Sequence, residues 1–384
     1  MIAAIQSAGK ISFHAVGDTG AAKVDQQQTV AKALANQANV ADAMVHDLAG
    51  PNPPAFFFHL GDVVYHFGEA QYYYDQFYEP YRLYDRPIFA IPGNHDGSVF
   101  GPTSSAPQNP SLQAFLDNFC AASVGPSPDA GTMVRSAMTQ PGVYFTLDAP
   151  FVSIIGLYSN VLEGPGVISS QKGAFPALSD VQLGFLQSEL QRLKPLRQAG
   201  QRAIILALHH PPLSVDANHG GSTGAQQDLD NVFQAVGLWP DMVLSGHAHL
   251  YQRFTQRVNN NKQQIPYIVS GSGGFAASPP QQNVGKAPIT VGNDTMEIDP
   301  IIKFGYLLIT CDGNTLSATF NSPASNGAVA ALDTVAVNLK TGLLMPAGSS
   351  PRKPAHGKTK TARVKTKASS TRNARSKTVK KRKK

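Results

Sequence analysis

Short apolar runs alternate along the chain with longer amphipathic stretches. Residues 11–16 read as a buried strand, stopped by the turn residues Gly17, Asp18, Thr19 and Gly20. Ala, Gln and Val at helical spacing predict a helix over 21–48. A second apolar strand, 56–60, ends at Gly61 and Asp62, and an aromatic-rich stretch with helical spacing covers 69–84. A third strand, 87–91, ends at Pro92, Gly93 and Asn94. Strand, turn and helix repeated in this way predict α/β architecture. Residues 101–142 are rich in Pro, Ser and Ala and read as an insertion with one short helix at 111–120. Paired strands follow near 143–148 and 151–157, then an amphipathic helix over 179–195. A strand over 203–208 runs into His209 and His210, a helix covers 226–237, and a strand over 242–245 is ended by Gly246 and His247. From there to about residue 339 the pattern is mostly strand, at 265–270, 304–311, 315–321 and 332–338.

Composition narrows the class. With 384 residues, 42% hydrophobic and 15% charged, the chain can bury a sizeable core in one large α/β domain or two ordinary ones. No apolar run reaches the roughly 18 residues of a membrane-spanning helix. The first ten residues are too short and too weakly apolar for a secretory signal. The default compartment is therefore cytoplasmic, and export would require a leader removed from this sequence. Cys120 and Cys311 show no zinc-site spacing and read as two buried thiols, with a single bridge as the alternative. The net charge of +7 conceals a division. Fifteen Lys and Arg fall within 351–384, without one Asp or Glu, which leaves 17 basic against 25 acidic residues in the preceding 350. The body is acidic, so a basic nucleic-acid-binding body is not indicated. Residues 1–345 are expected to form one domain. Residues 346–384, nearly devoid of large apolar side chains, are expected to be disordered. Such a tail would attract nucleic acid, anionic lipid or polyphosphate with strong salt dependence, or else be a solvated extension with no partner of its own.

Five segments carry candidate chemistry, each at the end of an apolar strand. They centre on Asp18, on Asp62 with Tyr65, on Asn94 with His95 and Asp96, on His209, and on His247 with His249. Ligand sites of α/β sheets gather beyond the carboxyl ends of the strands. Asp, Asn and His suit hard or borderline metal cations. Each segment alone is an ordinary turn; the ordered set points to a metal centre.

In this order the segments resemble the calcineurin-like metallophosphoesterases, over roughly residues 11–320, and within them the purple acid phosphatases. Most of that superfamily has His where Gly20 stands here, and the purple acid phosphatases have a Tyr where Tyr65 stands. The resemblance implies a four-layer α/β/β/α sandwich of two mixed sheets flanked by helices. It implies two metal ions. Iron would be held by Asp18, Asp62, Tyr65 and His249; zinc, manganese or iron would be held by Asp62, Asn94, His209 and His247, with Asp62 bridging. The implied reaction is hydrolysis of a small phosphate monoester by a water that the cations activate. His95 would protonate the leaving oxygen or steady the phosphoryl charge, and His219 would face the substrate unless it is a plain surface residue. A phosphodiesterase acting on cyclic nucleotides, nucleic acid or phospholipid headgroups with the same metals is the alternative. A non-catalytic nucleic-acid-binding protein acting through its tail is a third reading. His210 either supports a ligand or packs. Asp96 either orients His95 or is a surface turn residue. His14, His59 and His66 read as structural. The segment from Gly271 to Gly274 lacks the Lys and Ser/Thr of a phosphate-binding loop and reads as a tight turn. Beside the plant-type enzymes, the chain lacks an obvious extra N-terminal β-domain.

Overall fold

The apolar run that opens the chain forms β1 (Lys10–Val16), and every residue of it after Lys10 is buried. In the computed structural model the described residues are 1–20, 30–65, 67–97, 112–131, 133, 135–159 and 180–346. Their further strands are β2 (Phe57–His59), β3 (Ile88–Ala90), β4 (Phe145–Ala149), β5 (Val152–Leu157), β6 (Ala203–Leu208), β7 (Met242–Ser245), β8 (Tyr251–Val258), β9 (Gln263–Ser270), β10 (Ile289–Val291), β11 (Asp294–Met296), β12 (Tyr306–Asp312), β13 (Thr315–Pro323), β14 (Val329–Asn338) and β15 (Leu343–Leu344). The helices are α1 (Ile2–Ala8), α2 (Val30–Asp47), α3 (Asn94–Gly97), α4 (Gln113–Phe119), α5 (Val181–Gln198) and α6 (Thr223–Val236).

These strands form two mixed sheets, in the orders β15-β14-β13-β12-β1-β2-β3 and β10-β11-β8-β9-β7-β6-β5-β4. The parallel strands are β1, β2 and β3, at one end of the first sheet, and β5, β6, β7 and β9, inside the second. Alternation along each strand builds the layers. In β1, Ile11, Phe13 and Ala15 face the other sheet and share one core with its Ile205 and Ala207, and with Leu307 of the neighbouring β12. Val16 faces outward, against Val40 and Met44 of α2 and the aromatic segment that includes Tyr81. In β6, Ala203, Ile205 and Ala207 point inward, while Ile204, Leu206 and Leu208 pack against Leu190 of α5 and Phe233 of α6. Three hydrophobic layers therefore join four layers of structure, as the resemblance implied. Each fully buried Phe, Leu or Ile contributes about 1.5–3 kcal/mol to this packing.

Several elements differ from expectation. The stretch 69–84 is a 3₁₀ turn at Ala70–Tyr72 followed by a single π-turn at Tyr74–Tyr78, although Tyr73, Phe77, Tyr81 and Tyr84 keep helical spacing and are buried. Helix α5 continues past Pro195, which falls in its last turn. Helix α6 begins earlier than expected because Ser222 caps it, its hydroxyl accepting the Ala225 N–H at 3.2 Å; Gly237, at φ 66°, ends it. Helix α1 and strands β8, β10, β11 and β15 were not anticipated. Strand β8 interleaves polar residues too densely to read as buried. Cys120 and Cys311 are both free, so no bridge joins them; Cys311 is buried and Cys120 is half-buried. Among the described residues no helix is long and apolar enough to cross a membrane. His66, much of the 101–142 insertion and the basic tail beyond residue 346 lie outside the described residues.

Candidate metal centre

The carboxyl ends of the parallel strands carry the expected residues. Asp18 follows β1, Asp62 follows β2, Asn94 follows β3, His209 follows β6 and His247 follows β7. Asp18, Asp62 and His247 have φ of 59°, 54° and 66°, left-handed values that cost a non-glycine residue about 1–2 kcal/mol. The turns are closed by their own backbone. The Asp18 N–H donates to the Gly61 carbonyl at 2.9 Å, and the Gly246 N–H donates to that of His209 at 3.0 Å. Glycine is required where chains meet: a Cβ on Gly61 would lie 2.5 Å from His209 Nδ1, and one on Gly93 would collide with Asp62 Oδ1.

Two groups of ligand atoms result. Around Asp62, the Nε2 of His209 lies 3.4 Å from Asp62 Oδ1 and 3.2 Å from Asn94 Oδ1. His209 donates its Nδ1–H to the Leu60 carbonyl at 2.8 Å, which turns its Nε2 toward the two acceptor oxygens. Ligand atoms of Asp62, His209 and His247 all fall within 4.8 Å of one another. Around Asp18, its Oδ1 accepts the Tyr65 hydroxyl at 3.1 Å and lies 3.4 Å from His249 Nε2, while Oδ2 accepts the His247 N–H at 2.8 Å. Carboxylate, amide, phenol and imidazole donors converging in a buried place suit a metal cation. Burial opposes a charge on His209, but Asp62, Asp18 and the Leu60 carbonyl together outweigh it and push its pKa up to about 9. Burial likewise opposes charge on Asp62, yet His209, His95 and His247 hold its carboxyl well below the usual range. Burial, together with Asp18 and Asp62, raises the Tyr65 phenol well above its ordinary value.

Tyr65 stands where Gly20 leaves room. A Cβ on residue 20 would lie 2.9 Å from Tyr65 Cδ2, 2.6 Å from Gln76 Oε1 and 2.9 Å from the Val63 carbonyl. A histidine at 20 and this phenol at 65 are therefore mutually exclusive. Gly20→Ala is expected to destabilise the fold by about 1–3 kcal/mol in urea unfolding through overpacking; unchanged stability would show that the space is not tight.

The remaining sequence candidates separate clearly. His95 lies at the rim, partly exposed, with its backbone N–H on Asp62 Oδ1 at 2.9 Å, its Nε2 4.0 Å from Asp62 Oδ2 and its ring 4.3 Å from that of Tyr65. His219 is brought to the site, its ring 4.4 Å from His247 and 5.2 Å from His249. Its loop is held by Asp216, whose Oδ1 accepts the N–H of Asn218 and of His219, both at 2.8 Å. Burial and His249 lower the His219 pKa. His210 is buried beside His247 at 4.2 Å and pairs its Nδ1 with the Ser159 hydroxyl at 2.8 Å. Burial and then His209 depress its pKa strongly, so it packs as a neutral ring. Asp96 is not a surface residue. It is buried and accepts the N–H of Val63, Val64 and Gly93, tying the second motif to the third. Burial and then Asp62 push its pKa to about 7.

His59 accepts the Gly61 N–H at Nδ1 and lies 2.8 Å from the Thr19 hydroxyl at Nε2; burial drives its pKa to about 3. His14 joins Tyr84 and Asp47 behind β1. Both are structural. The segment after β9 is more than a turn. The Gly273 N–H donates to the Gly17 carbonyl at 3.0 Å and the Phe275 N–H to that of Asp18 at 3.1 Å. Phe275 itself stacks on Tyr65 with ring centres 3.7 Å apart and planes 2° apart. Sequence reasoning missed Phe275, Ser159 and Gln76; the glycines at 271, 273 and 274 were the one local signal of close approach.

Among solved structures the fold is similar to a purple acid phosphatase from yellow lupin (Lupinus luteus) seeds, at 17% identity and a TM-score of 0.58, over 86% of this chain and 54% of that one. The chain thus spans about half the length of the lupin protein. It is similar also to a protein described as the anchor in the inner membrane complex of Plasmodium, at 15% identity and a TM-score of 0.58, over 86% of this chain and 89% of that one. At these identities the likeness establishes the fold. No curated protein matches the chain in sequence. Residues 11–251, well over half of the chain, match the profile of the calcineurin-like phosphoesterases. With that match, and with the cation-seeking cluster at the strand ends, the chain belongs to the calcineurin-like phosphoesterase family.

Proposed function

We propose that the protein hydrolyses phosphate monoesters at a two-metal centre of purple-acid-phosphatase type. One observation carries the reading: the Tyr65 phenol reaches Asp18 through space that Gly20 leaves open. The fold alone would not carry it, since the Plasmodium protein with the same fold is described as an anchor. Asp18, Asp62, Tyr65 and His249 would hold one ion, and Asp62, Asn94, His209 and His247 the other, with Asp62 shared. A phenolate is a hard anionic donor, which favours ferric iron at the first position and leaves zinc, manganese or iron for the second. When bound, such a pair supplies Lewis acidity to the phosphoryl oxygens and lowers the pKa of water.

The chain's own residues do the rest. The Leu60 carbonyl fixes the His209 tautomer, and the His247 N–H fixes Asp18. His95, partly exposed at the rim beside Asp62, would give a proton to the leaving oxygen. His219, held neutral by burial, offers an N–H to a phosphoryl oxygen over the His247–His249 pair.

The test is metal analysis with a visible spectrum of purified protein, and rates on nitrophenyl phosphate and bis-nitrophenyl phosphate. Expected are two metals per chain including iron, a tyrosinate charge-transfer band lost in Tyr65→Phe, and faster cleavage of the monoester. Two metals without iron or colour, with faster cleavage of the diester, would overturn the reading in favour of a diesterase.

A further inference from the structure

Tyr65 lies on a loop, where no regular element holds it, yet its position is fixed from four sides. Gln76 reaches in from the π-turn and pairs with the Tyr65 peptide twice. Its Oε1 accepts the Tyr65 N–H and its Nε2 donates to the Tyr65 carbonyl, both at 2.9 Å. Gln76 is itself buried, and its carbonyl accepts from Gln37 of α2. Phe275 lies flat against the phenol at 3.7 Å, and its ring edge meets His249 at 5.0 Å. The third side is the space at Gly20, and the fourth is the hydroxyl contact with Asp18. Phe275 is fixed in turn, because its N–H is on the Asp18 carbonyl and Gly273 packs on Gly17 and Thr19 with no room for a side chain.

The Tyr65 phenol has two side-chain torsions and stands on a turn outside the regular elements. An amide that pairs with the peptide restrains the backbone. A flat ring stacked face to face restrains the second torsion, since rotating the phenol would break the contact along its whole face. From this arrangement we propose that Gln76 and Phe275 are positioning residues for Tyr65: Gln76 sets where the phenol starts, and Phe275 sets the plane in which it faces Asp18. The inference rests on the reading of Tyr65 as a metal-facing donor. Residues in this supporting role typically change metal affinity or activity by about 10–100-fold.

The experiment compares Phe275→Leu, which keeps apolar volume without a flat face, with Phe275→Tyr, which restores the ring, and with Gln76→Leu. Iron affinity, the visible band and crystal structures of the variants are measured. Expected in Phe275→Leu are a shifted band, an iron affinity lower by about 10–100-fold and a Tyr65 ring turned away from Asp18; Phe275→Tyr keeps the wild-type band. Gln76→Leu is expected to displace the Tyr65 backbone. A folded Phe275→Leu with unchanged band, iron affinity and Tyr65 position overturns the proposal. A wild-type protein that takes iron without any tyrosinate band overturns instead the reading of Tyr65 as a ligand. The crystal structures then decide alone whether Phe275 and Gln76 fix its place.

Discussion

Asp62→Asn is expected to lower phosphoesterase turnover by about three orders of magnitude while leaving the fold intact. The Asp62 carboxylate meets side chains of both ligand groups, with His209 on one side and the Tyr65 phenol on the other. Asparagine is chosen because it tolerates the left-handed backbone at φ 54° and still offers an oxygen to the His95 N–H at 2.9 Å. What it removes is the negative charge shared by the two proposed ions. Lewis-acid stabilisation is worth several kcal/mol, and each 1.36 kcal/mol is about a factor of ten in rate. Turnover, bound metal and thermal unfolding should be measured on one preparation. Near-normal turnover would remove Asp62 from the centre.

Filling of the centre is expected to displace a proton from His209. Without a metal, Asp62 and Asp18 beside it push its pKa up to about 9, so the ring is expected to carry a proton at pH 7. The neighbouring His247, held far below its ordinary value first by burial and then by His210 and His209, carries none. Binding at pH 7 should therefore release about one proton, and apparent metal affinity should rise about tenfold per pH unit up to about pH 9. Calorimetric titration in two buffers of different ionisation enthalpy counts the proton directly. The same shift fixes the sign of the stability change. A raised folded-state pKa contributes stability that is full below the unfolded value of about 6.5 and is lost as pH rises through about 9. Metal-free protein should melt lower across that window, and loaded protein should not show this loss. Metal binding that releases no proton would show that His209 is already neutral.

The site was readable because its residues sit on turns directly after apolar strands, a local signal. Asp18, Asp62, Asn94, His209 and His247 each follow a short, continuous apolar run that reads as a buried strand. The supports were not readable, because they act across the fold. Phe275 meets Tyr65 only because β9 runs parallel to β7 and delivers its end beside Asp18. Gln76 lies in a segment whose aromatic spacing suggested an unbroken helix, and the π-turn that turns it inward leaves no mark in that spacing. Asp96 sits beside His95 in sequence, which suggested an imidazole partner. Its burial shows that closing the turn around Gly93 claimed the carboxylate instead. Strand β8 escaped notice because Gln252, Thr255 and Gln256 are buried polar residues, which a hydrophobic pattern does not reveal.

The left-handed backbone at Asp18, Asp62 and His247 also limits how the centre can be retooled for another metal. A longer or branched replacement there must carry the cost of its backbone as well as its new donor atom. Glutamate at 18 or 62 would lose the tolerance that aspartate has for that conformation, before its extra methylene is accommodated. Asn94, His209 and His249 are not among the residues with positive φ. Laboratory selection for altered metal preference should accordingly gather its substitutions at those three positions and spare the other three.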